Sequence, residues 1–317
     1  MITYILRRLA WLLPIALLAA TFVFLITSVL PGNVAMLILG GEGGAPSPEA
    51  IARLEAELGL DLPLHVRYLT WVWDALRFDF GNSLWTGQPV LRQLELRIPV
   101  SVTLVLLALS ISVVVSVPLG ILAATHQDSW IDYAARSFAI LGLSMPGFVL
   151  AALAVIALMV WFKWSVPLEY ANLGTNPLVA LQQLIGPALI LALRTMGVET
   201  RMMRSCMLEV LREDYVRTAR AKGLTERAVI WIHALKNSIL PVITSFSVEI
   251  VVFFSGAVVI ETLFNVQGLG SFIEVALRRR DIPVIQGVLV VIVVFVILVN
   301  LLVDVIHAWL DPRVRQH

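Results

Sequence analysis

The chain has 317 residues, of which 59% are hydrophobic and only 14% charged, and its mean hydropathy is +0.89. A soluble domain carries about 25% charged residues, so the composition excludes a soluble globular domain, a disordered chain and a nucleic-acid binder, and indicates repeated membrane spans of about 20 residues each. Lys plus Arg number 23 against 22 Asp plus Glu, so the placement of charge is informative and its sum is not.

In chain order, the first segment is an N-terminal end and first span over 1–30. Its apolar run, from about Ala10 to Leu30 behind Arg7 and Arg8, is longer than the roughly 7 to 15 residues of a secretory signal core. It also runs into Pro31-Gly32, not a small-residue cleavage site, and is read as a retained span. An external loop over 31–99 follows, with amphipathic helices. Ser47-Pro48 reads as a helix start and Gly59 as its end, with Ile51, Leu54 and Leu58 at helical spacing. A second helix follows Pro63, and its Tyr68, Trp71, Val72, Trp73 and Leu76 either cover the mouth of the bundle or form an interfacial aromatic belt. A five-span core over 100–310 places its crossings at about 100–124, 137–162, 184–203, 239–260 and 283–310, and a tail over 311–317 completes the chain. The fold class is therefore all-α, a polytopic membrane protein with six transmembrane helices.

Six spans put both termini on one side, and basic residues say which. Arg7, Arg8, Arg136, the eight basic residues from Arg201 to Lys236, Arg313 and Arg315 share a side, against Lys163 and Arg278 to Arg280 once the long loop is set aside. Positive charge marks the cytoplasmic side, so both termini and the loop over 204–238 are expected there. That loop reads as helix, break, helix. The first helix ends at Gly223, suited to a left-handed cap, and the second starts at Thr225, a good N-cap. Ala228, Trp231, Ile232 and Leu235 form an apolar stripe at helical spacing, and Pro241 is expected to open the fifth span. A basic helical pair held between two spans suits either a cytoplasmic partner or anionic lipid.

Two charges fall inside spans: Arg194 near the centre of the fourth and Glu249 near the centre of the fifth. Each costs at least about 2.5 to 3.5 kcal/mol there. They form a buried ion pair, or they line a path and contact the charged ends of a zwitterionic solute; the pattern leaves both open. An ion-coupled secondary transporter or channel built on the two is the alternative functional class. The five histidines have no metal-ligand spacing, no Gly-Lys-Ser/Thr phosphate loop is found, and the lone Cys206 gives neither a disulfide nor a cysteine metal site. No cofactor is expected in this chain.

The residues Tyr215, Val216, Arg217, Thr218, Ala219, Arg220, Ala221, Lys222, Gly223 and Leu224, followed by His233 to Asn237 and Leu240-Pro241, resemble the coupling loop of ATP-binding cassette (ABC) importer permeases. The dipeptide, oligopeptide, nickel and glutathione branch is the most similar. Arg217-Thr218-Ala219 occupies the places where the general motif has Glu-Ala-Ala. The resemblance extends through Tyr4 to Leu9, Leu58 to Asp61, Asp79-Phe80-Gly81 with Ser83, Pro118 to Gly120, Ser144-Met145-Pro146, Arg280-Asp281 with Pro283, and Asp304 with Asp311 to Arg313. Departures are Asn33-Val34 in place of Asp-Pro, Phe78 where Gly is common, and Asn265-Val266-Gln267 where a Pro is usual before Gly268.

The resemblance implies a type I ABC importer-like permease in a bacterial cytoplasmic (inner) membrane. It implies a heterodimer with a second, homologous permease, two cytoplasmic ATPase subunits that bind the ATP and Mg, and an external substrate-binding protein. Di- or oligopeptides are the expected cargo, with nickel or glutathione as alternatives within the branch. It further implies that Tyr215, Arg217, Thr218, Ala219, Arg220, Ala221, Lys222, Gly223 and Leu224 couple the chain to an ATPase, with no catalysis of its own.

Overall fold

The computed structural model describes residues 2–29, 34–40, 47–167, 170–171 and 174–310. Pro31, Gly32, Asn33 and the tail over 311–317 lie outside them, as do the side chains of Arg7 and Arg8. The helices are α1 (Ile2–Val29), α2 (Val34–Leu39), α3 (Pro48–Glu57), α4 (Leu64–Leu76), α5 (Val90–Thr125), α6 (Trp130–Ser144), α7 (Gly147–Phe162), α8 (Pro177–Val210), α9 (Asp214–Ala221), α10 (Glu226–Ala228), α11 (Leu235–Leu263), α12 (Leu269–Arg279) and α13 (Ile282–Leu310). A π-helical turn, Val229–Ala234, joins α10 to α11. Among the described residues the only β-pairing is an isolated bridge between Asn82 and Pro89. By length and composition α5, α8, the run Glu226–Leu263 and α13 can each cross a membrane, and α6 with α7 makes a fifth if the bent pair is one span. The first crossing, expected from about Ala10 to Leu30, falls on α1, whose apolar part Pro14–Val29 is shorter than these spans, so four or five crossings meet the length expected of six.

Two differences from the sequence reading have local causes. Where one continuous span is expected over 137–162, the chain bends by 96° between α6 and α7. Met145 precedes Pro146 and is extended, at φ −118° and ψ 138°, because the proline ring disfavours a helical conformation at the preceding residue. Conversely, Pro241 opens nothing: it lies inside α11. A proline removes one backbone hydrogen bond and bends a helix, but a helix packed along its length tolerates that loss. The fifth crossing is thereby continuous with the second arm of the loop before it.

The chain divides into two compact units. In the unit formed by 2–98 and 272–298, Ser47 caps α3 by accepting from the Ala50 N–H, with Pro48 in the first turn. Helix α4 lies on α1: Tyr68 meets Phe24 edge to face at 5.3 Å, Trp71 meets it at 5.7 Å, and the Tyr68 and Thr21 hydroxyls are 2.7 Å apart. Tyr68 and Trp71 therefore pack on a helix within this unit, while Trp73 and Leu76 stay exposed. Motifs far apart in sequence meet at Asp281. Its carboxylate accepts from the Ser83 hydroxyl at 2.5 Å and the Leu84 N–H at 3.2 Å, and the Trp85 indole donates to the Arg279 carbonyl at 2.8 Å. Deeper in, the Gln286 amide donates to the Thr27 hydroxyl at 2.8 Å.

Phe78, the departure from a common glycine, has φ +60° and an exposed ring. A side chain in the left-handed region costs about 1 to 2 kcal/mol, and glycine's extra chain entropy cancels part of that. Phe78→Gly should raise stability by about 0.5 to 1 kcal/mol, read as a higher melting temperature of the purified protein in detergent.

The other unit, 99–271 with 299–317, is held by close helix contacts. A Cβ on Gly197 of α8 would stand 2.6 Å from the Ala139 carbonyl oxygen of α6, and one on Gly142 of α6 would stand 2.7 Å from the Leu193 carbonyl oxygen. Reciprocal glycines let the two backbones touch, as small residues do in membrane helix interfaces. Gly197→Ala should cost about 1 to 3 kcal/mol through overpacking, because the obstructing atom is backbone; a melting curve of the variant tests this. Glu261, fully buried, organises the start of α12: it accepts from the Ser101 hydroxyl at 2.6 Å and the Ser271 N–H at 3.0 Å, while Ser101 accepts from the Leu269 N–H. Nearby, Tyr170 donates to the Phe264 carbonyl at 2.8 Å. Burial pushes its phenol up to about 12, so it remains a donor throughout the physiological range.

Candidate functional site

The loop after α8 is a folded hairpin. Its own core is Val216, Ala219 and Val229, with Val210 and Leu211 packed against them. The Gly223 N–H bonds to the Arg220 carbonyl at 2.9 Å, and Gly223 takes φ +80°, a conformation open to glycine at no steric cost. Thr225 then caps the second arm by accepting from the Ala228 N–H. Arg220 bridges the turn, with Nε 2.8 Å from Glu226 Oε1. The Asn237 amide donates to the Tyr215 hydroxyl at 2.7 Å, tying α9 to the start of α11.

This geometry sorts the nine residues singled out from sequence. Tyr215, Arg217, Thr218, Arg220, Ala221, Lys222, Gly223 and Leu224 are exposed. Ala219 is only 6% exposed and packs into the hairpin core with Val216 and Val229. Arg220 is engaged by Glu226, and Arg217 approaches Asp214 at 3.5 Å. The outer face thus combines Tyr215, Thr218, Ala221 and Leu224 with basic groups at its edge.

The second arm also departs from the expected stripe. Trp231 and Ile232 are 53% and 64% exposed, whereas Val229 and Ala234 are fully buried. The reason is the π-helical turn: with i to i+5 hydrogen bonds, residues five apart share a face, so Val229 and Ala234 replace a stripe drawn at α-helical spacing. Below them Ala234, Val242 and Phe246 pack with Ile121, Ala124, Met203 and Met207, which fixes the hairpin to α5, α8 and α11.

A charge cluster anchors α8 just before the hairpin. Asp132 of α6, fully buried, receives both Arg204 Nε at 2.6 Å and Arg204 Nη2 at 2.7 Å, and Arg136 in the same bidentate manner at 3.1 and 2.8 Å. Arg136 and Arg204 count from sequence only as side-marking charges; their partner sits between them in space. Farther along α8 runs a polar ladder to α11. Arg194 Nη1 lies 2.9 and 3.3 Å from the two Glu249 oxygens, and Thr195 donates to Glu249 at 2.8 Å. One turn on, Ser245 donates to Glu199 at 2.6 Å. The structure therefore brings Arg194 and Glu249 together within one chain. Glu199, Asp132 and Glu261 are additional buried acids that sequence reasoning did not single out. Among the described residues no cluster of His, Cys, Asp or Glu is arranged to hold a metal.

Residues 116–316 match the family model of the binding-protein-dependent transport system inner membrane component, and residues 1–105 match its N-terminal companion. The chain is 42% identical over 315 residues, 99% of both chains, to a putative peptide transport system permease protein of Brucella abortus (strain 2308). It is 37% identical over 338 residues, 99% of both, to the dipeptide transport system permease protein of Escherichia coli (strain K12). It is 36% identical to a probable peptide ABC transporter permease protein of Sinorhizobium fredii, over 98% of this chain and 99% of the relative. Among solved structures, a crystal structure of an amino acid ABC transporter with histidines is similar, with TM-score 0.50 and 15% identity over 68% of this chain and 92% of that one. That likeness concerns fold alone.

Proposed function

The chain belongs to the family of binding-protein-dependent transport system inner membrane components, and from that premise we propose that it is the permease of a peptide importer. With a second, homologous permease it forms the path for di- or oligopeptides. An external binding protein delivers the peptide, and two cytoplasmic ATPases bind the ATP and Mg and supply the work. The observation that carries this reading is the hairpin: a rigid element packed onto α5, α8 and α11, with an exposed face of small, aromatic and basic residues. The relatives' names supply the peptide.

In this reading the basic side of the chain, with the hairpin and both termini, faces the cytoplasm. Tyr215, Thr218, Ala221 and Leu224 seat in an ATPase groove, with Arg217, Arg220 and Lys222 at its rim. Rim pairs are worth about 0 to 1 kcal/mol each, so the apolar seat carries the contact. Gly223 fixes the angle between the arms, and Ala219 holds α9 against the second arm. Movement of the ATPases is transmitted through the hairpin to α8 and α11, and Arg194 contributes to the path wall while Glu249 holds it from behind. The chain itself performs no hydrolysis.

Co-expression of tagged chain with its neighbouring genes, followed by purification in detergent, tests the assembly. A second permease and two ATPases should co-purify and hydrolyse ATP. Purification of a lone chain from cells that contain all four would contradict the reading.

A further inference from the structure

The Arg194–Glu249 pair is lopsided. The Arg194 side chain is 50% exposed and that of Glu249 only 8%. Glu249 is turned inward and is further held by the Thr195 hydroxyl. Both contacts from Arg194 to Glu249 use Nη1, which leaves Nε and Nη2 outside the pair. The pair therefore shows a guanidinium, not a carboxylate, to whatever lies beside it. Arg194 stands midway along the 34-residue α8, where a half-exposed cation facing hydrocarbon is disfavoured. It opens instead onto a cavity of about 230 Å³ at the α6–α7 bend, bordered by Gly142, Gly147, Phe148 and Gly256. Arg194 and Thr195 are the only polar side chains in the wall. An apolar recess of this size with one cation at its edge suits a carboxylate attached to an apolar group, because the guanidinium fork matches carboxylate geometry.

We propose that Arg194 is a carboxylate-binding subsite in the wall of the translocation path, taking the free C-terminal carboxylate of a passing peptide while the apolar recess receives its last side chain. The inference rests on the peptide-permease reading above. A carboxylate side chain of the partner permease offers the same chemistry, and the experiment separates the two sources.

The test is equilibrium binding of alanyl-leucine and of alanyl-leucine amide to the assembled permease–ATPase complex in the absence of the binding protein. The unaltered complex should bind the acid about tenfold more tightly than the amide. Arg194→Gln combined with Glu249→Gln, which leaves no unpaired charge, should abolish that preference, and Arg194→Lys should restore part of it. Equal binding of acid and amide, or binding of neither, in a complex that imports alanyl-leucine with ATP would overturn the subsite and leave the permease reading intact. Loss of the second permease from the doubly substituted complex would assign the guanidinium to a partner's carboxylate and overturn it too. An unaltered complex that imports no peptide overturns both.

Discussion

Gly223→Val should lower ATP-driven peptide uptake at least about tenfold while the chain still folds and still recruits its second permease. The position has φ +80°, and nothing lies within 4 Å of where a Cβ would stand. The substitution therefore meets no clash, and its penalty is conformational: a left-handed residue costs about 1 to 2 kcal/mol, more when β-branched. The hairpin can relieve that cost by opening the turn, which separates Arg220 from Glu226, now 2.8 Å apart. The Val216, Ala219 and Val229 core is then pulled apart. The spans should hold, because the buried residues of α5, α8 and α11 below the hairpin are others, and only Val210 and Leu211 pack against both groups. Uptake into proteoliposomes, measured beside co-purification of the partners, distinguishes loss of coupling from loss of assembly. Gly223→Asn should be far milder, since asparagine tolerates the left-handed region; normal uptake by the valine variant would mean that the hairpin angle does not transmit work.

Asp132→Ala should be the most destabilising single change in the bundle. The Asp132 side chain is 0% exposed and pairs with two guanidinia: that of Arg204 is only 19% exposed, and that of Arg136 also lies 3.6 Å from Asp128. Removing one partner of a buried pair costs about 3 to 5 kcal/mol, a large part of the roughly 5 to 15 kcal/mol that holds a typical protein together. The expected result is a steep fall in membrane yield and melting temperature. Arg136→Gln should cost much less, because that side chain is 37% exposed and Arg204 still neutralises the carboxylate. Arg204→Met placed on top of Asp132→Ala should recover much of the loss, since replacing a buried charge by an apolar group removes the unpaired ion. A doubly substituted chain no more stable than Asp132→Ala alone would show that the cost lies in packing, not in the stranded cation.

The parts of the fold that were legible in sequence are those written in local chemistry. Ser47, Thr225 and Gly223 carry their caps and turns within three or four residues, and each stands where such residues stand for backbone reasons. The break at Met145-Pro146 was also local, but the apolar run on either side of it masked the bend. The π-helical turn at Val229–Ala234 was not legible, because its five-residue step looks like an imperfect α-helical stripe until the register of the buried side is known.

What stayed hidden in the site depends on which helices touch. The contact of Arg194 with Glu249 depends on helix register, which places residues 55 positions apart within 2.9 Å. Asp132, 72 positions from Arg204, gave no signal beyond an acid one turn before Arg136. Ser83 and Asp281 each belonged to a recognised motif, and nothing in either said that they bond to each other. The inward turn of Ala219 follows from packing within the hairpin, which a motif match does not express.

The central claim is that this chain contributes to the membrane path of an ATP-driven peptide importer, and uptake by the reconstituted system tests it most directly. Proteoliposomes holding the chain, its second permease and two ATPases, with the binding protein outside and ATP inside, should accumulate labelled dipeptide in the absence of any ion gradient. Accumulation should stop when ATP is withheld. Uptake that ignores ATP and instead follows an imposed proton or sodium gradient, and that is lost in Arg194→Gln with Glu249→Gln, would contradict the account and make the chain an ion-coupled carrier.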